Sequence, residues 1–331
     1  MTSLPLSILD LAEIGPDETA GDALHGSVTL ARRAEELGYR RVWYAEHHNM
    51  PTIASAATSV LIAHVAANTD TIRVGAGGIM LPNHAPLTIA EQFGTLASLH
   101  PGRIDLGLGR APGSDQATFR ALRRDLAAAD RFPEDVLELQ GYLSDTSRVP
   151  GVEATPGKGT EVPLYVLGSS LFGAGLAAAL GLPYAFASHF APQALEQAVE
   201  RYRRDFQPSA RLDAPYVIAG MNVIGADTAE EAQEQLLAAR RRRAKLLFGR
   251  GRRLDVAEVD ALLASPVGQQ VDAMLRHTAV GTADDLAAQV REFAGLADAD
   301  ELMLAFAGPD RAAKLHAVEL VALAHGLQAA A

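Results

Sequence analysis

The sequence predicts a (β/α)8 TIM barrel, and three observations lead there. Short apolar segments recur eight times along the 331 residues, each is followed by a helical pattern, and no break in composition marks off a second domain. Strands that alternate with helices pair in parallel through right-handed crossovers. Eight such units close into a barrel. An open doubly wound sheet has the same alternation, but the even spacing and the count of eight favour closure.

The units follow in order. Residues 6–12 (LSILDLA) are the first apolar run, closed by Gly15-Pro16. Asp22 can cap a helix through residue 37, with Leu24, Val28, Ala31 and Ala34 on its inner face and Gly38 after its end. The second strand, 41–46, takes its β-preference from Val42, Trp43 and Tyr44. A small-residue helix over 55–67 leads to the third strand, 72–80 (IRVGAGGIM), which Leu81-Pro82 stops. Pro86 opens a helix to Leu99, ended by Pro101-Gly102. The fourth strand, 103–108, runs into Gly109 and Arg110. Residues 114–162 are less regular, with a helix over 130–143 and a Gly/Pro-rich loop at 148–162.

The fifth strand, 163–167, leads through Gly168, Ser169 and Ser170 into a small-residue helix to Leu180. The sixth, 184–188, ends at His189 and precedes a helix over 192–206. The seventh, 216–224, is followed by a long polar helix that carries Arg240–Arg243, which reads as a solvated face. Residues 247–280 have no strand character and read as an excursion, a lid or insertion in a barrel that otherwise spans 1–331. Gly281-Thr282 caps a helix over 284–293, the eighth strand is 301–307, and a last helix reaches Leu327.

Composition narrows the function. A 48% hydrophobic content allows a sizeable core. The net charge of −11 argues against general nucleic-acid binding. The absence of cysteine excludes disulfides, thiolate metal ligands and thiol nucleophiles. The N-terminal stretch lacks a basic region and turns acidic early, unlike a secretory signal. No apolar run approaches the roughly 20 residues of a membrane helix. A soluble, cytoplasmic protein without membrane or nucleic-acid partners is expected.

A barrel places function at the C-terminal ends of its strands. Glu46, His47 and His48 end the second strand, and three such polar groups are expensive to bury without a role. A carboxylate beside imidazole can fix its tautomer or raise its pKa; the plain alternative is a structural pair. Strand alternation sends neighbours to opposite faces, so not all three can face the lumen. Adjacent histidines also point apart, which weakens a metal reading, and no metal is expected. Gly75, Gly77 and Gly78 weaken their strand and suit either an unusual backbone, a flat ligand or tight packing. Arg110 could grip a phosphate, or form an ion pair with Asp105 or Asp115. Gly168-Ser169-Ser170 before a helix makes a workable phosphate cradle or an ordinary serine cap. Arg110 and this turn follow consecutive strands, so they can meet on one phosphate. His84 and His189 sit at strand ends and stay open candidates.

Together, RVWYAEHHNMP, VGAGGIMLPNHAPLTIAEQFGTLASLHPGRIDLGLGRAPG, VPLYVLGSSLFGAGLAAALGLPYAFASHF and HTAVGTADDLAAQVREF resemble the bacterial luciferase-like flavin monooxygenase family over nearly the whole chain. The resemblance implies a barrel that binds reduced FMN at its strand ends. It makes His47 the catalytic histidine, with Glu46 orienting it and His48 alongside. It places a non-prolyl cis peptide at Gly77-Gly78 under the flavin ring, and gives the flavin phosphate to Arg110, Ser169 and Ser170. Gly109 stands where light-emitting members carry a cysteine. The 247–280 excursion falls where the family has a mobile loop. The implied activity is a monooxygenase in which FMNH2 from a separate reductase reacts with O2 to a C4a-peroxyflavin that oxygenates a small organic substrate, in a homodimer. F420-dependent hydride transfer on the same barrel, or flavin binding without turnover, are the alternatives.

Overall fold

The structure, a computed structural model, describes residues 4–111, 116–124, 126–249 and 254–328. The first half of the chain runs β1 (Leu6–Asp10), α1 (Ala20–Leu37), β2 (Arg41–Tyr44), α2 (Thr58–Ala66), β3 (Arg73–Met80), α3 (Pro86–Leu99) and β4 (Ile104–Gly109). Two further helices, α4 (Gln116–Ala121) and α5 (Phe132–Leu143), precede β5 (Leu164–Gly168). Then come α6 (Leu171–Leu180), β6 (Tyr184–Phe186), α7 (Leu195–Asp205), β7 (Val217–Gly225) and α8 (Ala229–Phe248). The last part holds α9 (Val256–Leu263), α10 (Pro266–Met274), β8 (Thr278–Gly281), α11 (Ala283–Leu296), β9 (Glu301–Phe306) and α12 (Arg311–His325).

Local chemistry explains the element ends. Thr19, not Asp22, is the N-cap of α1: its hydroxyl accepts from the Asp22 N–H, while the Asp22 carboxylate accepts from the Thr19 N–H. Asp22 thus plays the acidic half of a capping box, a role that a threonine three residues upstream makes available. Gly38 ends α1 in the left-handed region, with φ 88°.

All ladders are parallel, in the order β6-β5-β4-β3-β2-β1-β9-β7, and β6 pairs with β7 to close the ring. The TIM barrel is therefore closed by eight strands. A ninth, β8, lies outside it on the C-terminal half of β7, in register Asn222↔Thr278 to Gly225↔Gly281. The expectation of an excursion without strand character is corrected here. Four residues are too few to show a period of two, and the free edge of β7 makes them a strand. Upstream of β8, α9 and α10 cover α8 through a small cluster of Ala244, Val259 and Val271.

Two apolar layers result from strand alternation. Outward residues such as Ile8, Val42, Tyr44, Leu106, Val166 and Leu304 join the helices in the main core. Inward residues Leu9, Trp43, Ala45, Tyr165, Ala185, Ile218 and Met303 fill the lumen. Below them lies an ionic floor. Arg41, only 1% exposed, donates to Asp105 at 2.7 Å, to Tyr165 at 2.7 Å and to Glu301 at 3.1 Å. Arg73 also pairs with Asp105, and Tyr216 donates to Glu301 at 2.7 Å. Burial alone would lower the Arg41 pKa, but the Glu301 and Asp105 carboxylates hold it above its ordinary value. A buried cation is tolerated because it is paired on both sides. Among the described residues no helix is long and apolar enough to cross a membrane.

Candidate active site

The lumen row of β2 is Arg41, Trp43 and Ala45. Continued by one step, it brings His47 to the mouth and turns Glu46 and His48 the other way. The hydrogen bonds agree with this parity. The buried Glu46 carboxylate accepts from His48 Nε2 at 2.7 Å, from His84 Nε2 at 2.9 and 3.0 Å, and from the Met80 N–H at 3.0 Å. Asn83 Nδ2 adds a longer contact of 3.4 Å. Burial pushes the Glu46 pKa up, yet the hydrogen bonds from His48 and His84 win and hold it at about 2. The same bond raises the His48 pKa. Glu46, His48 and His84 offer ligand atoms within 4.8 Å of one another, a spacing that their mutual hydrogen bonds already explain.

Glu46 therefore makes no hydrogen bond to His47 among the described residues, so the expected orientation of His47 by Glu46 does not come from a direct bond. His47 Nδ1 is buried and makes no hydrogen bond among the described residues. Burial lowers its pKa, so it is neutral at pH 7. His84, an open candidate from the sequence, proves to be the second partner of Glu46. Nothing local signals that pairing, because it joins the ends of β2 and β3.

His189 continues the lumen row of β6 from Ala185. A Cβ on Gly220 would lie 2.6 Å from His189 Nδ1, so the glycine in β7 makes room for the ring. Asn222 Nδ2 donates to the His189 carbonyl at 2.5 Å. Its Nδ1 is a second buried nitrogen without a partner among the described residues. Burial, then electrostatic interaction with Arg243 and with His47 when that ring is protonated, lowers its pKa to about 4. In an eight-stranded ring β2 and β6 are opposite, so two neutral imidazoles face one another across the mouth.

The Gly77-Gly78 peptide is cis, the arrangement that the resemblance implied. A Cβ on Gly77 would meet Trp43 at 2.8 Å, and one on Gly78 the Gly107 carbonyl at 2.7 Å. Packing between β2, β3 and β4 thus requires both glycines, whatever else the backbone supports.

Arg110 and the Ser169-Ser170 turn are brought together. The Arg110 guanidinium lies 4.1 Å from the ring centroid of Phe172, the second residue of α6. Arg110 forms no ion pair among the described residues. Asp105 is instead on the lumen floor, and Asp115 lies outside the described residues. Ser170 is the N-cap of α6 in extended conformation, but its side chain makes no capping bond. The ordinary-cap alternative is therefore not realised. Gly168 ends β5, and Arg110 lies over the first turn of α6. An exposed guanidinium, two hydroxyls and a helix N-terminus suit a phosphate.

A closed parallel barrel with its ionisable cluster at the C-terminal strand ends is the architecture of a barrel enzyme. The model of the luciferase-like monooxygenase family matches residues 4–299, and the chain belongs to that family, whose members are oxidoreductases. It is 47% identical over 321 residues to the luciferase-like monooxygenase of Escherichia coli K12, covering 96% of each protein. It is 35% identical over 307 residues to the N-acetyl-S-alkylcysteine monooxygenase of Bacillus subtilis, covering 88% of this chain and 89% of that one. Among solved structures, apo-MsnO8 superposes with TM-score 0.88 at 34% identity, over 98% of this chain and 99% of that one. The fold is shared with the FMN complex of a 3,6-diketocamphane monooxygenase component of Pseudomonas putida (TM-score 0.72, 16% identity, 97% of each chain). It is shared too with an F420-dependent secondary alcohol dehydrogenase (TM-score 0.70, 17% identity, 97% of this chain and 98% of that one).

Proposed function

We propose that the protein is an FMN-dependent monooxygenase that uses reduced flavin and O2 to oxygenate a small organic substrate. The observation that carries this reading is the contact of Arg110 with Phe172 at the start of α6, directly after Ser169 and Ser170, on the same barrel end as His47. These residues fit a flavin phosphate: Arg110 would bind it through its fork of N–H donors, the serine hydroxyls and α6 N–H groups would complete the cradle, and Gly77 and Gly78 would lie under the ring. When bound, the flavin supplies the electrons and activates O2.

The chain's own residues supply the rest. His47, neutral and with a free Nδ1, would hold or move a proton at that atom. Glu46 is a positioning residue: as a fixed anion it holds His48 and His84, and with them the ends of β2 and β3. Trp43 and the ionic floor close the lumen from below. The segment 247–280 would shield the mouth from water. Reduced flavin would come from a separate reductase, the working form would be a homodimer, and N-acetyl-S-alkylcysteines are the first substrates to screen.

The experiment is anaerobic titration with FMNH2, oxidised FMN and F420, followed by rapid mixing with O2 under diode-array detection. Preferred binding of FMNH2 and a near-ultraviolet band that persists before oxidised flavin appears would support the reading. Binding of F420 alone, or reoxidation as fast as free flavin with every substrate tried, would sink it.

A further inference from the structure

The four consecutive arginines of α8 do not form one solvated face. Arg240 makes a bidentate pair with Asp272 of α10 at 2.7 and 3.0 Å. Arg241 does the same with Asp260 of α9, at 2.7 Å through both nitrogens. Arg242 donates to the Ala307 and Gly308 carbonyls at 2.7 and 3.1 Å, just past the end of β9. Those bonds pin this turn of α8 to the rim of the barrel mouth. Arg243 alone makes no hydrogen bond or ion pair among the described residues, and it is half-buried.

Its surroundings place it. Arg243 acts electrostatically on Glu13, in the loop after β1, and on His189, at the end of β6. In the ring, β6 and β1 flank β7 and β9. With Arg242 anchored at Ala307 and Gly308, Arg243 therefore lies toward the β6-β7-β9-β1 side of the mouth, across from Arg110 at the end of β4. His189 also senses His47, which stands at the end of β2 on the opposite side of the ring. Glu13, the acidic group that acts on it, is already paired with Lys314. Burial lowers the Arg243 pKa more than Glu13 raises it. A partly desolvated guanidinium without a partner is unfavourable unless something else neutralises it.

We propose that Arg243 is a specificity-determining residue that receives a carboxylate of the organic substrate, on the side of the mouth opposite the phosphate cradle. The planar fork of a guanidinium matches a carboxylate through two parallel hydrogen bonds. The assignment deepens the oxygenase reading and rests on it for the word substrate, but the binding step can be tested alone.

The test is calorimetric titration of the full-length protein, with and without FMN, using phenylacetate and methylthioacetate and the matching neutral carboxamides. The wild type should prefer each carboxylate over its amide by roughly tenfold to a hundredfold, the range of a charge-assisted hydrogen bond. Arg243→Gln should abolish that preference, and Arg243→Lys should keep part of it. If Arg243→Gln does not fold, the wild-type preference and its reduction in Arg243→Lys decide. Equal affinity for acid and amide, no saturable binding of either acid, or a preference kept in Arg243→Gln would overturn the proposal. A carboxylate preference that depends on Arg243 in a protein that takes up no FMN would leave the assignment standing and remove the flavin reading.

Discussion

Glu46 and His84 are 38 residues apart in the chain, yet His84 Nε2 reaches the Glu46 carboxylate at 2.9 Å. His48 Nε2 donates to the same oxygen, Oε1, at 2.7 Å, the Met80 N–H donates to Oε2 at 3.0 Å, and the carboxylate makes no hydrogen bond to His47 among the described residues. The site thus separates two tasks. An anchored anion with two imidazoles ties β2 to β3, and a neutral, unpartnered imidazole faces the lumen.

Glu46 should therefore matter to stability before it matters to chemistry. Its pKa falls from 4.5 to about 2 in the fold, worth on the order of 3 kcal/mol. Because the folded value is depressed, this stabilisation is fully present above about pH 4.5 and is lost as pH drops toward 2. His48 acts in the opposite sense: its raised pKa stabilises below its ordinary value of 6.5, and the gain is lost as pH rises through the folded value. Glu46→Gln should remove both dependences. Urea unfolding at several pH values checks this, and a variant with unchanged pH dependence would refute the pairing.

His47→Gln should behave differently. Nothing in the fold hangs on its Nδ1, so the melting temperature should move little. Turnover should drop by about 10²–10⁴-fold if the ring moves a proton. A fall in turnover matched by a fall in thermal stability would point to a structural role instead.

Arg110→Gln should weaken FMN by roughly tenfold to a hundredfold, the loss of one charge-assisted contact. Riboflavin, which lacks the phosphate, should bind both forms equally. Fluorescence titration with the two flavins separates the outcomes. If riboflavin and FMN lose affinity together, Arg110 is not a phosphate ligand.

Arg41→Leu tests the floor of the barrel. It leaves Asp105 and Glu301 buried with a partner removed, which costs about 3–5 kcal/mol. The expected result is a large drop in the denaturation midpoint with FMN affinity unchanged in whatever folds, since Arg41 lies at the far end of the lumen. A mild effect would mean that Arg73 and Tyr216 hold the two carboxylates unaided.

Much of this protein could be read from its sequence because the signals are local. Helix stops such as Gly38 and Pro101, and the apolar strands between them, depend on neighbours a few residues away. Their alternation determined the eight-stranded parallel barrel and the rim on which Glu46, His47, Arg110 and Ser170 stand. The tertiary structure decided what those rim residues do to one another. Closure of the ring selected the lumen face of β2, turning His47 inward and Glu46 toward His84. The pairing of β4 with β5, which leads into α6, set Arg110 over Phe172. The free edge of β7 made a strand of residues 278–281. The helices that cover α8 took Arg240 and Arg241 as partners and the end of β9 took Arg242, which set Arg243 apart from its neighbours. Each of these depends on groups tens of residues apart, whose approach is set by register and closure and leaves no periodic trace in the chain.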